Sequence, residues 1–308
     1  VECLKLLIES GVDVNAQNNK GDNAFIAAAA AATTASCSYG VECLKLLIES
    51  GADVNVRNNK GNGAFIVAAA AAASWDSNGV QCLKLLIESG VDVNMQNNNG
   101  DNAIIVAADA AATSWNSNGV ECLKLLIESG VDVNVQNNNG DNALIVAAAA
   151  SLDSDGVQCL KLLIESGVDV NVQNNNGDNA IIVAADAAAT SWNSNGVECL
   201  KLLIESGVDV NVQNNNGDNA LIVVAVASWD INGFQCLKLL IASGADVNAR
   251  NNNGDNALIV AAPAAAASWD SYGVECMKLL IESGVDVNVQ NNNGDNALIV
   301  AAAAAAAA

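Results

Sequence analysis

The chain has 308 residues, 52% of them hydrophobic but only 3% aromatic, with one proline and no histidine, so its apolar content is mainly alanine supported by Leu, Ile and Val. That composition suits thin helical layers and excludes a bulky aromatic core. A formal charge of −22, from 34 acidic against 12 basic residues, argues against nucleic acid or an anionic membrane as partner, and fits either a self-repelling exterior or a field that steers a basic protein.

The first segment, "VECLKLLIESGVDVN" (1–15), recurs down the whole chain. Segments of this type begin at Cys3, Cys43, Cys82, Cys122, Cys159, Cys199, Cys236 and Cys276, spaced by 40, 39, 40, 37, 40, 37 and 40 residues. A period of this size indicates stacked supersecondary units, none of which can bury its apolar face alone. Cut at the glycine of "NNNGDN", the chain is one array over 1–308. It comprises a half-repeat 1–20, full repeats 21–60, 61–99, 100–139, 140–176, 177–216, 217–253 and 254–293, and a half-repeat 294–308. It begins at Val1 without a methionine or a signal-peptide pattern and stops inside an alanine run, so it reads as a fragment cut mid-repeat at both ends. Its uncharged apolar stretches fall short of the roughly 18–20 residues that cross a bilayer.

Within a unit, "NALIVAA" predicts a first helix capped by its asparagine, whose side chain accepts a free N–H of the first turn. A second helix follows in "NGVECLKLLIESG", where Asn118 and Glu121 have capping-box spacing and Gly130 supplies a left-handed stop. "VDVNVQNNNGDN" then alternates apolar and polar residues and turns on Asn-Asn-Gly, which predicts a short extended finger. The expected fold is all-α, a solenoid of helix-turn-helix repeats with short β-hairpin-like fingers.

The stretch "ECLKLLIESGVDVNVQNNNGDNALIVAA" (121–148) resembles the ankyrin repeat, whose second helix and finger read like EIVKLLLE-x-GADVN before a D-x-x-G turn. "GADVN" itself stands at Gly51 to Asn55 and at Gly244 to Asn248. The first helix departs from the family's T-P-L-H, which becomes "NALI", "NAII" or "NAFI", and "GNGAFI" at 61–66. The hydrogen bonds of the family's Thr and His must therefore be replaced or absent. The units exceed the family period of 33 mostly by four or seven residues, about one or two helical turns, so the first helix is expected to be longer by whole turns. Pro263, near the seventh position of such a helix, predicts a kink or an early stop. The resemblance implies a non-catalytic protein-interaction scaffold.

The residues capable of chemistry read mostly as structure. Eight of the nine cysteines share one slot of the second helix, and equivalent helices about 8–10 Å apart are too distant for a disulfide's Cα limit of about 7 Å. They read as a ladder of reduced core thiols, which fits a reducing, intracellular and cytoplasmic setting; Cys37 lies outside it. Without C-x-x-C or histidine, zinc binding and Cys-His catalysis have no support. Trp75, Trp115, Trp192, Trp229 and Trp269 precede the second helix in a slot that also holds Leu152 and Cys37, so burial fits better than an aromatic binding ladder. With Gly100 at the sixth place of a calcium loop, Met95 and Val106 would fall on ligand positions, and the EF-hand reading fails. Asp109, Asp186, Glu128 and Glu205 read as a solvated acidic rim. No G-x-S-x-G, phosphate loop or nucleotide fingerprint is present, so no enzyme, cofactor or metal is expected.

The positions left for a partner are finger tips and the first-helix surface: Gln96, Asn98, Asp101, Asp109, Gln136, Asn138, Asp141, Asp186, Gln213, Asn215 and Asp218. Residues 100–139 and 177–216 are identical over 40 positions, and such sameness favours a second reading, a spacer or self-associating solenoid without a specific ligand. The expected partner is a protein, and a basic one would suit the field.

Overall fold

A computed structural model describes residues 1–32, 39–74, 77–113, 118–150, 154–190, 195–226, 230–267 and 272–307. Among these residues there are sixteen α-helices and no strand. They fall into two compact units, one of Val1–Ala147 with Lys161–Val168, the other of Ala148–Leu160 with Asp169–Ala308.

The first unit contains α1 (Glu2–Glu9), α2 (Ala24–Ala32), α3 (Tyr39–Glu49), α4 (Ala64–Ser74), α5 (Ser77–Glu88), α6 (Ala103–Thr113) and α7 (Asn118–Glu128). Two further helices, α8 (Ala143–Ala150) and α9 (Ser154–Glu165), are divided between the units. The second unit contains α10 (Ala180–Thr190), α11 (Asn195–Glu205), α12 (Ala220–Val226), α13 (Ile231–Ala242), α14 (Ala257–Ala267), α15 (Tyr272–Glu282) and α16 (Ala297–Ala307).

Each unit is a two-layer stack. In the first, the alanine-rich helices α2, α4 and α6 pack in a row, each against its own second helix, while α3, α5 and α7 form the parallel outer row. In the second, α10, α12, α14 and α16 make the inner row and α11, α13 and α15 the outer one. The second helices carry the amphipathic pattern, burying Cys82, Leu83 and Leu86 or Cys122, Leu123 and Leu126 and exposing Lys and Glu. Each such leucine contributes about 1.5–3 kcal/mol by leaving water. The first helices bury Ala107, Ala108 and Ala111 beside Ile104, so small side chains draw the layers close together.

That closeness shows at one glycine in the first turns of the second helices. A Cβ built on Gly119 would lie 2.4 Å from the Ala111 Cβ, and one on Gly196 would lie 2.4 Å from the Ala188 Cβ. Glycine is required there by space alone, since neither residue has a positive φ.

The second helices end as the sequence indicates. Gly130 takes φ +83, and Gly130 N–H and Val131 N–H donate to Ile127 and Leu126 carbonyls at 3.1 and 3.3 Å, a Schellman closure. Their starts differ from expectation. Asn118 lies inside α7, and in α13 the cap is Asp230, extended at φ −123, whose carboxylate accepts the Gly233 N–H at 2.8 Å. The equivalent asparagine, Asn232, is already helical. In α13 an acid two residues upstream of that asparagine serves as cap.

Among the described residues the first helices differ in length: in the 40-residue units 100–139, 177–216 and 254–293 α6, α10 and α14 have 11 residues, in the 40-residue unit 21–60 α2 has 9, and in the 37-residue units α8 and α12 have 8 and 7. The tryptophans, Cys37 and Leu152 lie outside the described residues. Pro263 does not end its helix early: α14 continues to Ala267. Loss of a helical bond costs about 3 kcal/mol, and this is offset by packing of α14 on α12, α15 and α16 through buried Ala257, Ala261 and Ala262.

Gly119→Ala and Gly196→Ala are expected to lower stability. Overpacking costs about 1–3 kcal/mol, against the roughly 1 kcal/mol that alanine returns as a better helix former. Urea unfolding midpoints measure the balance, and a stabilised variant would mean that the layers separate without penalty.

Candidate functional site

Asparagine dominates the fingers, and the structure shows what it does. In each finger the Asp of D-V-N folds back on the chain, as where the Asp132 carboxylate accepts the Asn134 N–H at 2.9 Å. The Asn of the same motif reaches the next repeat. Asn94 Oδ1 accepts the Asp132 N–H at 2.7 Å while its Nδ2 approaches the Gly130 carbonyl at 3.5 Å. In the second unit Asn211 makes the same pair with Asp246 N–H (2.7 Å) and the Gly244 carbonyl (3.1 Å). A side-chain amide carries a donor and an acceptor side by side, so it clamps a neighbouring backbone as another strand would.

The tips form a second set of links. Asn138 N–H donates to the Asn99 carbonyl at 2.8 Å and its Nδ2 to the Asn98 carbonyl at 2.9 Å. Asn98 does the same to Lys60 and Asn59. In the second unit the side-chain ladder runs from Asn292 to Asn252, Asn215 and Asn175. Within a tip, Asn137 Oδ1 accepts the N–H groups of Asn139 and Asp141 at 2.9 and 3.0 Å. The reversal is completed by glycine alone, because no other described residue has positive φ. At Gly100 (φ +81) a Cβ would also lie 2.9 Å from the Asn138 nitrogen.

The eleven positions expected to meet a partner divide between these fingers and the inner helices. Gln96, Asn98, Gln136, Asn138, Gln213 and Asn215 are exposed, whereas Asp101, Asp141 and Asp218 are half-buried. Their amide donors bond within the array: Gln96, Gln136 and Gln213 Nε2 to the carbonyls of Gly100, Gly140 and Gly217 at 2.6–2.7 Å, and Asn98, Asn138 and Asn215 along the ladder. Asp101 accepts Asn137 Nδ2 at 3.0 Å, and Asp218 accepts Asn251 Nδ2 at 2.9 Å. In the first unit the structure brings Gln96, Asn98 and Asp101 beside Gln136, Asn138 and Asp141. Asp109 and Asp186 are exposed on α6 and α10, on the helical layer and not on the fingers. The D-V-N asparagine was missed by the sequence reading, although it stands in all eight fingers while the residue after it varies.

The first-helix caps replace the missing Thr and His. Asn102 is fully buried; its Oδ1 accepts Ile105 N–H at 3.2 Å and its Nδ2 donates to the Asp132 carbonyl at 2.9 Å. One side chain thus starts the helix and ties it to the following finger. Asn219 keeps the cap, to Ile222 N–H at 2.9 Å, but its buried Nδ2 finds no acceptor. At 61–63 the pattern breaks. Gly63 replaces the cap, and the space where its side chain would start is filled by Met95, whose Sδ lies 2.8 Å from an ideal Cβ. Asn62 replaces the usual Asp, and its buried Oδ1 has no donor.

The eight described cysteines are free thiols, buried from Cys82 to Cys276, with Cys43 half-buried and Cys3 exposed. Burial pushes the Cys82 thiol up to about 12, and burial, with added repulsion from Asp230 and Cys199, does the same at Cys236. Such thiols stay protonated and are poor nucleophiles. Among the described residues no cluster of Cys, Asp or Glu is placed to hold a metal, and no helix is long and apolar enough to cross a membrane.

A family profile described as ankyrin repeats in three copies matches residues 32–114, 70–174, 109–191 and 186–266. A second, described as ankyrin repeats in many copies, matches 1–39 and 264–305. No curated protein matches the chain.

Two tests follow from this geometry. Asn102→Ser removes the bond to Asp132 and is expected to cost about 1 kcal/mol; Asn219→Ser keeps a capping oxygen, removes an orphaned donor, and should be near neutral. Equal losses in chemical denaturation would contradict the assigned bonds. The thiols predict alkaline sensitivity. A folded-state pKa raised from 9.0 to about 12 contributes stability that is full below pH 9.0 and declines as pH rises towards 12, by up to about 1.4 kcal/mol per pH unit per thiol. Between pH 9 and 11 a Cys82→Ala/Cys236→Ala variant should lose stability less steeply than the parent, and parallel slopes would refute this.

Proposed function

Because the chain belongs to the ankyrin-repeat family, whose members mediate protein–protein interaction, we propose that it is a non-catalytic scaffold that binds a protein partner through the exposed surface of its inner helices. The observation that supports this reading is the commitment of the finger amides. Their donors are used within the array, whereas Asp109 and Asp186 are exposed charges on the alanine-rich helices α6 and α10. A shallow floor of small side chains bordered by acids suits a partner with basic side chains. The buried free thiols support a reducing, cytoplasmic setting. Residues 21–293 then act as seven full repeats of one array.

The near-identity of successive repeats supports the second reading, a spacer or self-associating solenoid. Affinity capture on the immobilised chain separates them. The scaffold reading expects saturable retention of a heterologous protein, weakened about tenfold or more by Asp109→Ala/Asp186→Ala. Retention of nothing but further copies of the chain would favour the spacer and overturn the scaffold.

A further inference from the structure

Eight of the twelve basic residues form the lysine row of the second helices: Lys5, Lys45, Lys84, Lys124, Lys161, Lys201, Lys238 and Lys278. Three of the other four, Lys20, Arg57 and Lys60, lie on two adjacent fingers, 11–23 and 51–63. Compared with finger 90–102, finger 51–63 has Arg57 for Gln96, Lys60 for Asn99 and Asn62 for Asp101. Every one of these changes moves the charge in the positive direction. A finger such as 90–102 carries two carboxylates and no cation; this one carries two cations and the single carboxylate of Asp53, and it is the one finger of eight with net positive charge.

The cations face solvent. Lys20, Arg57 and Lys60 are exposed, and none takes part in the ion pairs seen among the described residues. Lys20 and Lys60 occupy equivalent places on stacked tips, joined where Asn59 N–H meets the Lys20 carbonyl at 2.9 Å. Arg57 is held in position by its Nε on the Gly61 carbonyl at 3.0 Å and its Nη2 on the Gln96 carbonyl. It borders a groove of about 750 Å³ lined also by Asp92, Asn94, Met95, Gln96 and Asn138. The neighbouring acids already accept hydrogen bonds: Asp22 from Asn58 Nδ2, Asp53 from Asn55 N–H and Asp92 from Asn94 N–H.

This finger also gives up hydrogen bonds that other fingers make. Asn62 cannot offer the carboxylate that other joints use, so its Oδ1 is orphaned and Asn97 Nδ2 turns instead to Asp101 of its own finger at 3.2 Å. The helix that follows loses its asparagine cap to Gly63. Departures from a chain's own local rules that weaken packing mark functional positions.

We propose that finger 51–63, with Lys20 and the adjoining groove, is a docking site for an acidic peptide segment of a partner protein. This rests on the scaffold reading and adds a second surface of opposite charge to it. Carboxylates spaced along an extended chain match cations spread over two tips, and the groove, within the range of about 300–1,000 Å³ typical of ligand clefts, can take a side chain. A nucleic acid would need a longer basic track than three cations in a chain of charge −22.

The test uses the whole chain and a fluorescein-labelled octaglutamate peptide, followed by anisotropy at low ionic strength, where screening is weak. Saturable binding is expected, weakened at least about tenfold in Arg57→Gln/Lys60→Asn/Asn62→Asp. Those residues already stand in finger 90–102, so the variant should keep its fold and its thermal midpoint. Octathymidylate or inorganic phosphate should compete poorly. Absence of saturable binding, equal affinity in the variant, or equal competition by the oligonucleotide overturns the proposal. Capture of a partner sensitive to Asp109→Ala/Asp186→Ala would survive that failure, so the two readings are separable.

Discussion

The amide clamp between successive fingers is the constraint on which each stack depends. A repeat of two short helices cannot bury its own apolar faces, so it gains stability only when the next repeat arrives in register. Asn94 fixes that register by holding the Asp132 N–H at 2.7 Å, as does Asn211 with Asp246. The bond spans 38 residues in the first case and 35 in the second, yet its length is the same. Repeat length varies without disturbing the joint because the difference appears in the first helix, 11 residues in α6 and 7 in α12. The finger is the invariant connector and the alanine helix the adjustable one.

The helical layers obey a complementary rule. Alanine lets the inner row approach the outer row until there is no room for a Cβ at Gly119 or Gly196. Little apolar area is buried per residue, so stability depends on close contact and on satisfied polar groups more than on large side chains. Asn102 shows the economy of this arrangement, serving as helix cap and as tie to the finger while fully buried. Buried polar atoms are left without a partner at Asn23, Asn62 and Asn219, and of these Asn62 alone departs from the repeated sequence. Such departures are few, and those of finger 51–63 coincide with its change of charge.

The surface follows from these commitments. Asn98, Asn138 and Asn215 are exposed yet spend their donors on neighbouring tips, so exposure alone does not make them contact residues. Lys60 is different, being exposed and outside the ion pairs seen among the described residues. Both proposed sites lie where an exposed charge departs from the repeated pattern.

Much of the architecture was legible in the sequence. The 37–40-residue period, the glycine stop at Gly130 and the asparagine caps such as Asn142 depend on local backbone chemistry that each repeat carries within itself. Other features depended on neighbours far along the chain. The helix α14 ran through Pro263, and the D-V-N asparagine acquired a partner some 35–38 residues away. The sequence by itself determined the unit, its helices and the turn that ends each of them. Only the tertiary structure decided which polar groups remain available, because a side-chain amide is spent or free according to what the next repeat places beside it.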